Sequence, residues 1–486
     1  MKKRFLFFII PFLFCFGTHA QSIKNVIFMV PDGTSSGILA LARWYQFYND
    51  TSQTRLTIDP LICGLVKNHS SNAPIGDSAP TMSWYMTGYP SQPKFISMSP
   101  PKNANDLVYV DSALSYTPRM TIMEAARITQ NKAIGLVFTC EFPHATPAAT
   151  SAHWHNRSAY QIIQQQMVHN AIDVLIGGGS KLLTTEQEAL LLKKGYGVYR
   201  DDIQNFRNSN NKKLWALFGD EYMDYDWERD TTKQPSLAEM TKKCIQLLSE
   251  NKEKEGFFLM VEGSQIDWAG HSNDPIGMLS EMLAFDAAVK EAVTFAQNNG
   301  ETLVVICPDH GNGGVSIGNS RSNKGYEKLS LREIIEPLQK GKKNKRLQSQ
   351  TYIGFTTTGH TGEDVFLAIY DPRKNERLTG LVTPYEINRY MCNAIAIKSL
   401  DSLTNLYYCK ATDLFNEEEF ILESSGRVLK ITPRNQNNTT LILEANSNQV
   451  IMKDQVFQTK TPAIYVDKNK TWYISSSCLN FFNKIF

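Results

Sequence analysis

The sequence predicts an α/β fold, with a mainly parallel central sheet between helices and a small β-rich appendage at the C-terminal end. Three observations predict it. Apolar, β-branched runs recur at Asn25 to Val30, Ala133 to Thr139, Ala171 to Ile176, Gly256 to Val261 and Thr302 to Ile306. Helix-like stretches separate them, and such alternation is the pattern of a parallel sheet covered by helices. Beyond about residue 400 the character changes to short alternating runs, Arg427 to Thr432 and Thr440 to Leu443, parted by the Asn-rich turn Asn435 to Asn438.

The helical stretches are Thr121 to Thr129, Ser158 to Asn170, Ser236 to Ser249 and Pro275 to Asn298. A further helix opens at Thr383-Pro384-Tyr385-Glu386, which combines a capping box with proline at the first position. Residues 89–118 and 198–235 are polar, Pro- or Asp-rich and read as insertions. No internal repeat is apparent.

At the N-terminus, Lys2, Lys3 and Arg4 precede an apolar run from Phe5 to Phe16 and the sequence Thr18-His19-Ala20. This is the tripartite pattern of a cleaved secretory signal. The run falls short of the roughly 20 residues that span a bilayer, and no later segment is apolar enough to do so. The chain is expected to divide into a signal over 1–20, a main unit over 21–400 and an appendage over 401–486. Export across the inner membrane, to the periplasm or beyond, is the expected location.

With 42% hydrophobic residues the chain can bury a large core, and its 50 basic and 48 acidic residues leave a formal charge of +2. No net field selects nucleic acid or a membrane surface. The single basic run, Lys340, Lys342, Lys343, Lys345 and Arg346, is interrupted by Gly341 and Asn344 and reads as a solvated loop. Eight cysteines show no paired CxxC knuckles, which excludes a zinc ribbon. Cys409 and Cys478 could pair in an oxidising compartment, whereas Cys140 and Cys307 lie in apolar runs as inert, buried thiols.

Polar residues stand where the apolar runs end, which is where open α/β sheets collect ligands. Asp32 follows the first run, His144 and Thr146 the second, Glu262 the fourth, and Asp309-His310 the fifth. One such carboxylate alone is more often a turn or cap residue. Four at one sheet edge, counting Asp267, repel strongly unless cations lie between them. Asp267 and His271 are four apart, so one helical turn puts both on one face, and His360 in Gly359-His360-Thr361-Gly362 adds a further nitrogen.

Ser78 belongs to Gly76-Asp77-Ser78-Ala79-Pro80, a loop entering a helix that Gly88 ends. The helix N-terminus favours an alkoxide and an incoming phosphate alike. Read by itself the segment is a plain N-cap, and Asp111-Ser112-Ala113 shows how readily the tripeptide recurs. A free serine hydroxyl is a weak nucleophile, and no G-x-S-x-G elbow surrounds this one, so its activator is another base or a metal.

Taken together, Pro31-Asp32-Gly33, Asp77-Ser78-Ala79 with Thr87-Gly88, His144-Ala145-Thr146-Pro147-Ala148 with Arg157, Val261-Glu262-Gly263 through His271, Asp309-His310 and His360-Thr361-Gly362 resemble, in order, the motifs of the alkaline phosphatases. The resemblance runs from about Asn25 to about residue 398. It implies two zinc ions and one magnesium ion per chain. The first zinc falls to Asp267, His271 and His360, and the second to Asp32, Asp309 and His310 with Ser78. Magnesium falls to Asp32, Thr146 and Glu262, a hard-oxygen set. The implied reaction hydrolyses phosphate monoesters by in-line attack of Ser78, through a phosphoserine, with Arg157 clamping two phosphate oxygens.

His144 and Trp268 stand where one bacterial pattern of the family has Asp and Lys. Other members carry the same His and Trp, and His144 reads as a hydrogen-bonding neighbour of the third metal more than as its ligand. Family members are often dimers, which leaves a homodimer open. Two other readings remain: a phosphodiesterase of the same superfamily, and a secreted metal- or phosphate-binding protein on a relic fold. Arg157 with a third metal favours monoesters over diesters, and the complete ligand set speaks against a relic.

Overall fold

A computed structural model describes residues 22–318, 330–343, 352–374, 376–435 and 439–483. The predicted signal over 1–20, Lys345 and Arg346 of the basic run, and Asn437 and Asn438 of the Asn-rich turn lie outside the described residues. Ten strands form one sheet. In chain order they include β1 (Asn25–Pro31), β2 (Ile62–Val66), β3 (Ala133–Glu141), β4 (Val174–Gly178), β5 (Gly197–Arg200), β6 (Leu214–Phe218), β7 (Phe257–Gly263) and β8 (Thr302–Ile306). Val365–Tyr370 and Gly380–Val382 complete it.

Across the sheet the order is Gly380–Val382, β2, Val365–Tyr370, β8, β1, β7, β3, β4, β6, β5. Val365–Tyr370 runs antiparallel to both its neighbours, and every other pairing is parallel. β1 is buried along its whole length, as a strand covered on both faces must be. Its side chains alternate between two cores: Val26, Phe28 and Val30 enter one, Ile27 and Met29 the other. The sheet thus lies between two apolar layers.

The helices follow local signals. Thr121 and Thr383 close capping boxes with Glu124 and Glu386, and Ser236 caps Leu237–Ser249. Pro275–Asn299 begins behind Asp274 and stops at Gly300, whose φ of 71° suits glycine.

Three expectations need correction. The third apolar run forms a strand only from Val174, because Ala171 takes a left-handed turn (φ 52°) and the Asp173 carboxylate accepts from Ile134 N–H. The polar insertion at 198–235 conceals the apolar run Leu214–Phe218, so it supplies β6 and the end of β5 to the central sheet. Lys340, expected in a loop, belongs to the helix Leu331–Lys343.

After Tyr408 a second, seven-stranded antiparallel sheet forms between Cys409 and Ile474. One face holds its own core of Leu429, Ile431, Leu441, Leu443, Val450 and Ile474, while Ile464, Val466 and Tyr473 join the larger core. A buried polar junction reinforces this seam: Tyr408 OH donates to Glu124 Oε1 (2.7 Å), which also takes Asn170 Nδ2 (2.7 Å) and His153 Nε2 (3.2 Å). Cys409 and Cys478 are free thiols, not a bridge, and the Cys409 thiol donates to Asn405 O (2.9 Å). No helix among the described residues is long and apolar enough to cross a membrane.

Candidate active site

The polar ends of four adjacent strands, β8, β1, β7 and β3, build the site. Because these strands are parallel, their carboxyl ends share one edge. Asp309 and His310 follow β8, Asp32 follows β1, and Glu262 is the penultimate residue of β7. β3 leads to His144, which caps the short helix Ala145–Ala148 carrying Thr146. After β7 the chain enters the helix Gln265–His271, which places Asp267 and His271 one turn apart. His360 arrives from a two-residue strand that pairs with Gly311–Asn312, bringing it beside His310 with the rings stacked at 3.7 Å.

Two groups of donors result. In one, Asp267 Oδ2 is 3.4 Å from His271 Nε2, Asp267 Oδ1 is 3.5 Å from His360 Nε2, and the two Nε2 atoms are 3.2 Å apart. In the other, His310 Nε2 is 3.4 Å from Asp32 Oδ1 and 3.3 Å from Asp309 Oδ2. Ligands about 2.0–2.1 Å from a tetrahedral zinc stand about 3.3 Å from one another, so these gaps suit atoms that share an ion.

The hydrogen bonds agree. Each imidazole turns Nδ1 to a backbone carbonyl: His271 to Thr358 O (2.7 Å), His360 to Gly76 O (3.1 Å) and His310 to Gly311 O (3.2 Å). With the proton on Nδ1, each Nε2 presents a lone pair to the carboxylates. Both oxygens of Asp32 and Oδ2 of Asp309 are buried without a hydrogen-bond partner. Lone pairs facing carboxylates in a buried edge need cations or protons between them.

Without an ion, protons fill that role. Burial, then the charges of Asp309, Asp267 and Glu262, drives the Asp32 carboxyl well above its usual range. Burial lifts Glu262 to about 7. Asp267 is held low despite its burial, by His271, His310 and His360, and its bond with His271 raises that histidine to about 9.

Ser78 opens the helix Ser78–Thr87, and its Oγ is 3.4 Å from His310 Nε2. Asp77 stands at the N-cap yet makes no side-chain cap bond. Its carboxylate instead accepts from Arg157 Nη1 (2.7 Å), leaving the helix N-terminus open toward the site. Arg157 Nη2 lies 2.9 Å from His144 Nε2. A guanidinium only donates, so Nε2 accepts and the His144 proton sits on Nδ1. Burial and Arg157 lower His144 to about 3, so it is neutral. Trp268 packs edge-on to His144 (6.0 Å) and to the half-exposed Tyr222 (4.9 Å).

A sequence profile described as alkaline phosphatase matches residues 23–336, well over half the chain. The chain belongs to the alkaline phosphatase family. Its activity is that of the family, the hydrolysis of phosphate monoesters. Alkaline phosphatase 3 of Bacillus subtilis is 31% identical over 435 residues, covering 77% of this chain and 89% of that protein. Among solved structures, the cold-active alkaline phosphatase of a psychrophilic Shewanella matches with a TM-score of 0.64 at 26% identity, over 76% of this chain and 99% of its own. A histidine-to-aspartate variant of alkaline phosphatase from the Antarctic bacterium TAB5, described with Mg in its M3 site, matches with a TM-score of 0.61 at 25% identity, over 78% and 99%. Alkaline phosphatases are metal-dependent, and among the described residues three groups of side chains could hold a metal ion.

All the residues picked out in the sequence, Asp32, Ser78, His144, Thr146, Arg157, Glu262, Asp267, Trp268, His271, Asp309, His310 and His360, belong to this one edge. Cys140 and His144 stand beside Glu262 at the third position, with ligand-capable atoms of the three within 4.8 Å of one another. Asn312 was not foreseen: its Nδ2 donates to Asp267 Oδ1 (2.6 Å) and to Asp267 O (3.0 Å), fixing that carboxylate. Its position two residues after His310 was the available signal, since strand alternation turns both toward the same side. His153 and His155 are engaged elsewhere, with Glu124 and Asp467.

Proposed function

We propose that this phosphatase is exported to the periplasm and works with two zinc ions and one magnesium ion on a broad range of phosphate monoesters. The lone-pair geometry of His271, His310 and His360 against Asp267, Asp32 and Asp309 is the observation that carries the reading. Asp267, His271 and His360 would hold one zinc, and Asp32, Asp309 and His310, with Ser78 Oγ, the other. Asp32, Thr146 and Glu262 would hold magnesium. When bound, these cations supply Lewis-acid charge for the Ser78 alkoxide and for the departing oxygen.

Ser78 Oγ bonds to phosphorus in line with the breaking bond to the alcohol, and a phosphoserine results. Water then cleaves it, returns a proton to Ser78 Oγ and releases phosphate, so that two inversions give net retention. Arg157 binds two non-bridging oxygens through its parallel N–H groups. Asp77 holds it for that task from one side and neutral His144 from the other. Asn312 keeps Asp267 oriented. These groups all grip the phosphoryl end, which supports broad specificity for the alcohol. Export rests on the charged and apolar pattern of residues 2–20.

The test is Ser78→Ala in purified protein. Turnover of an aryl phosphate monoester is expected to vanish while metal content and circular dichroism stay at wild-type values. Removing metal with a chelator should also abolish turnover, and zinc should restore it. Unchanged turnover in Ser78→Ala refutes the assignment.

A further inference from the structure

Cys140 is the penultimate residue of β3 and is fully buried. Its sulfur is 3.3 Å from Glu262 Oε2, and ligand-capable atoms of Cys140, His144 and Glu262 all lie within 4.8 Å of one another. Around them Glu262 Oε1, Thr146 Oγ1, His144 Nδ1 and both Asp32 oxygens are buried with no hydrogen-bond partner. Buried polar atoms in such number point to a ligand.

The bond from Arg157 settles which side chains are free to bind it. It places the His144 proton on Nδ1, so that nitrogen has no lone pair to give while the bond stands. Cys140 is the soft donor that remains beside the oxygen set. A sulfur and an oxygen bound to one tetrahedral zinc, at about 2.3 and about 2.0 Å, would stand about 3.5 Å apart, close to the separation seen.

We infer that the third cation position is a mixed sulfur and oxygen site with Cys140 as a ligand, taking zinc or cobalt in competition with magnesium. This rests on the three-metal reading above and alters the chemistry of its third member. As the ion binds, the sulfur–metal bond forms and the thiol proton, which faces Glu262, leaves to solvent. Magnesium, with its demand for octahedral oxygen, uses Asp32, Thr146 and Glu262 and leaves the thiol protonated. A thiolate instead favours the borderline ions.

Among the described residues, this is the one of the three groups that contains sulfur, so thiolate-to-cobalt charge transfer reports on it. Metal-free protein is titrated with cobalt and followed by absorption from the near ultraviolet through the visible. Wild type is expected to show thiolate-to-cobalt charge transfer that excess magnesium diminishes. Cys140→Ala and Cys140→Ser should lose that band, keep the visible cobalt bands of the other positions, and need at least about tenfold more zinc to displace magnesium. Visible cobalt bands without charge transfer in wild type, or the same charge transfer in both variants, overturn the role of Cys140 alone. Absence of all cobalt bands overturns the metal-centre reading, and this inference with it.

Discussion

Gly33→Ala probes the closest approach in the site. Gly33 follows Asp32 at a φ of 66°, and a Cβ there would lie 2.6 Å from Asp267 Oδ1 and 2.8 Å from Asp267 Cα and Cβ. Its N–H also donates to Asp309 Oδ1 (3.2 Å). The left-handed backbone costs an alanine about 1 kcal/mol. Crowding adds about 1–3 kcal/mol, because the obstacle is helix backbone and not the end of a flexible chain. Gly195 separates the two effects: its φ is 84° and nothing lies within 4 Å of its added Cβ, so Gly195→Ala carries only the backbone cost. Urea denaturation of the metal-free proteins should show Gly33→Ala less stable than wild type by about 2–4 kcal/mol and Gly195→Ala by about 1 kcal/mol. Zinc affinity, measured by chelator competition, should fall in Gly33→Ala and hold in Gly195→Ala. Equal destabilisation of the two variants, with wild-type zinc affinity in both, refutes the close approach.

Arg157→Ala should lower kcat/KM for a monoester about 10- to 100-fold, the worth of a charge-assisted pair, and lower it less for a diester, whose phosphoryl group carries one charge fewer. An equal loss on both substrates counts against the clamp. Tyr408→Phe removes a donor from buried Glu124 and should cost about 1–3 kcal/mol in urea denaturation, with kcat unchanged. Glu281 is raised by burial to about 8, against an ordinary 4.5, although it accepts from Asp226 N–H. The native state therefore holds a proton that the unfolded state has released, and stability falls as pH rises from about 4.5 to about 8. Glu281→Gln should flatten that decline and be more stable than wild type at pH 9, as thermal denaturation at several pH values would show.

The sequence marked out those strands whose neighbours are apolar on both faces, such as β1, β7 and β8. It concealed Leu214–Phe218 behind the polar residues Asn210, Asn211, Lys212 and Lys213, and the half-exposed strand Ile62–Val66, second from one edge of the sheet, carried too little apolar signal. Asp32, Glu262, Asp309 and His310 were legible as polar residues just past apolar runs, and Asp267 with His271 by a spacing of four. Their supports were not. Asp77 looks like a helix cap until Arg157 is placed beside it, Asn312 looks like a turn residue until Asp267 is, and Cys140 looks inert until Glu262 is. Such roles arise from contacts between residues far apart in the chain, to which local spacing is blind.

Four carboxylates meet at one buried edge, and hydrogen bonds relieve them only in part: Asn312 Nδ2 serves Asp267 Oδ1, and the N–H groups of Gly33 and His310 serve Asp309 Oδ1. Asp32 is the clearest case: both oxygens are unpartnered, although neighbouring positions could have supplied a hydroxyl or an amide. Buried Glu124, by contrast, is served by Tyr408, Asn170, His153 and Thr121 N–H. The contrast locates the function. Where a carboxylate only has to fold, it gathers donors; at this edge both Asp32 oxygens, Asp309 Oδ2 and Glu262 Oε1 lack them, and the imidazoles turn Nδ1 to backbone carbonyls. Folding to a metal-free state therefore requires protons to occupy the edge, and ion binding must displace them. The sheet tolerates this because the strands beneath are apolar on both faces and bury two cores, so the cost at one rim is offset across the whole sheet.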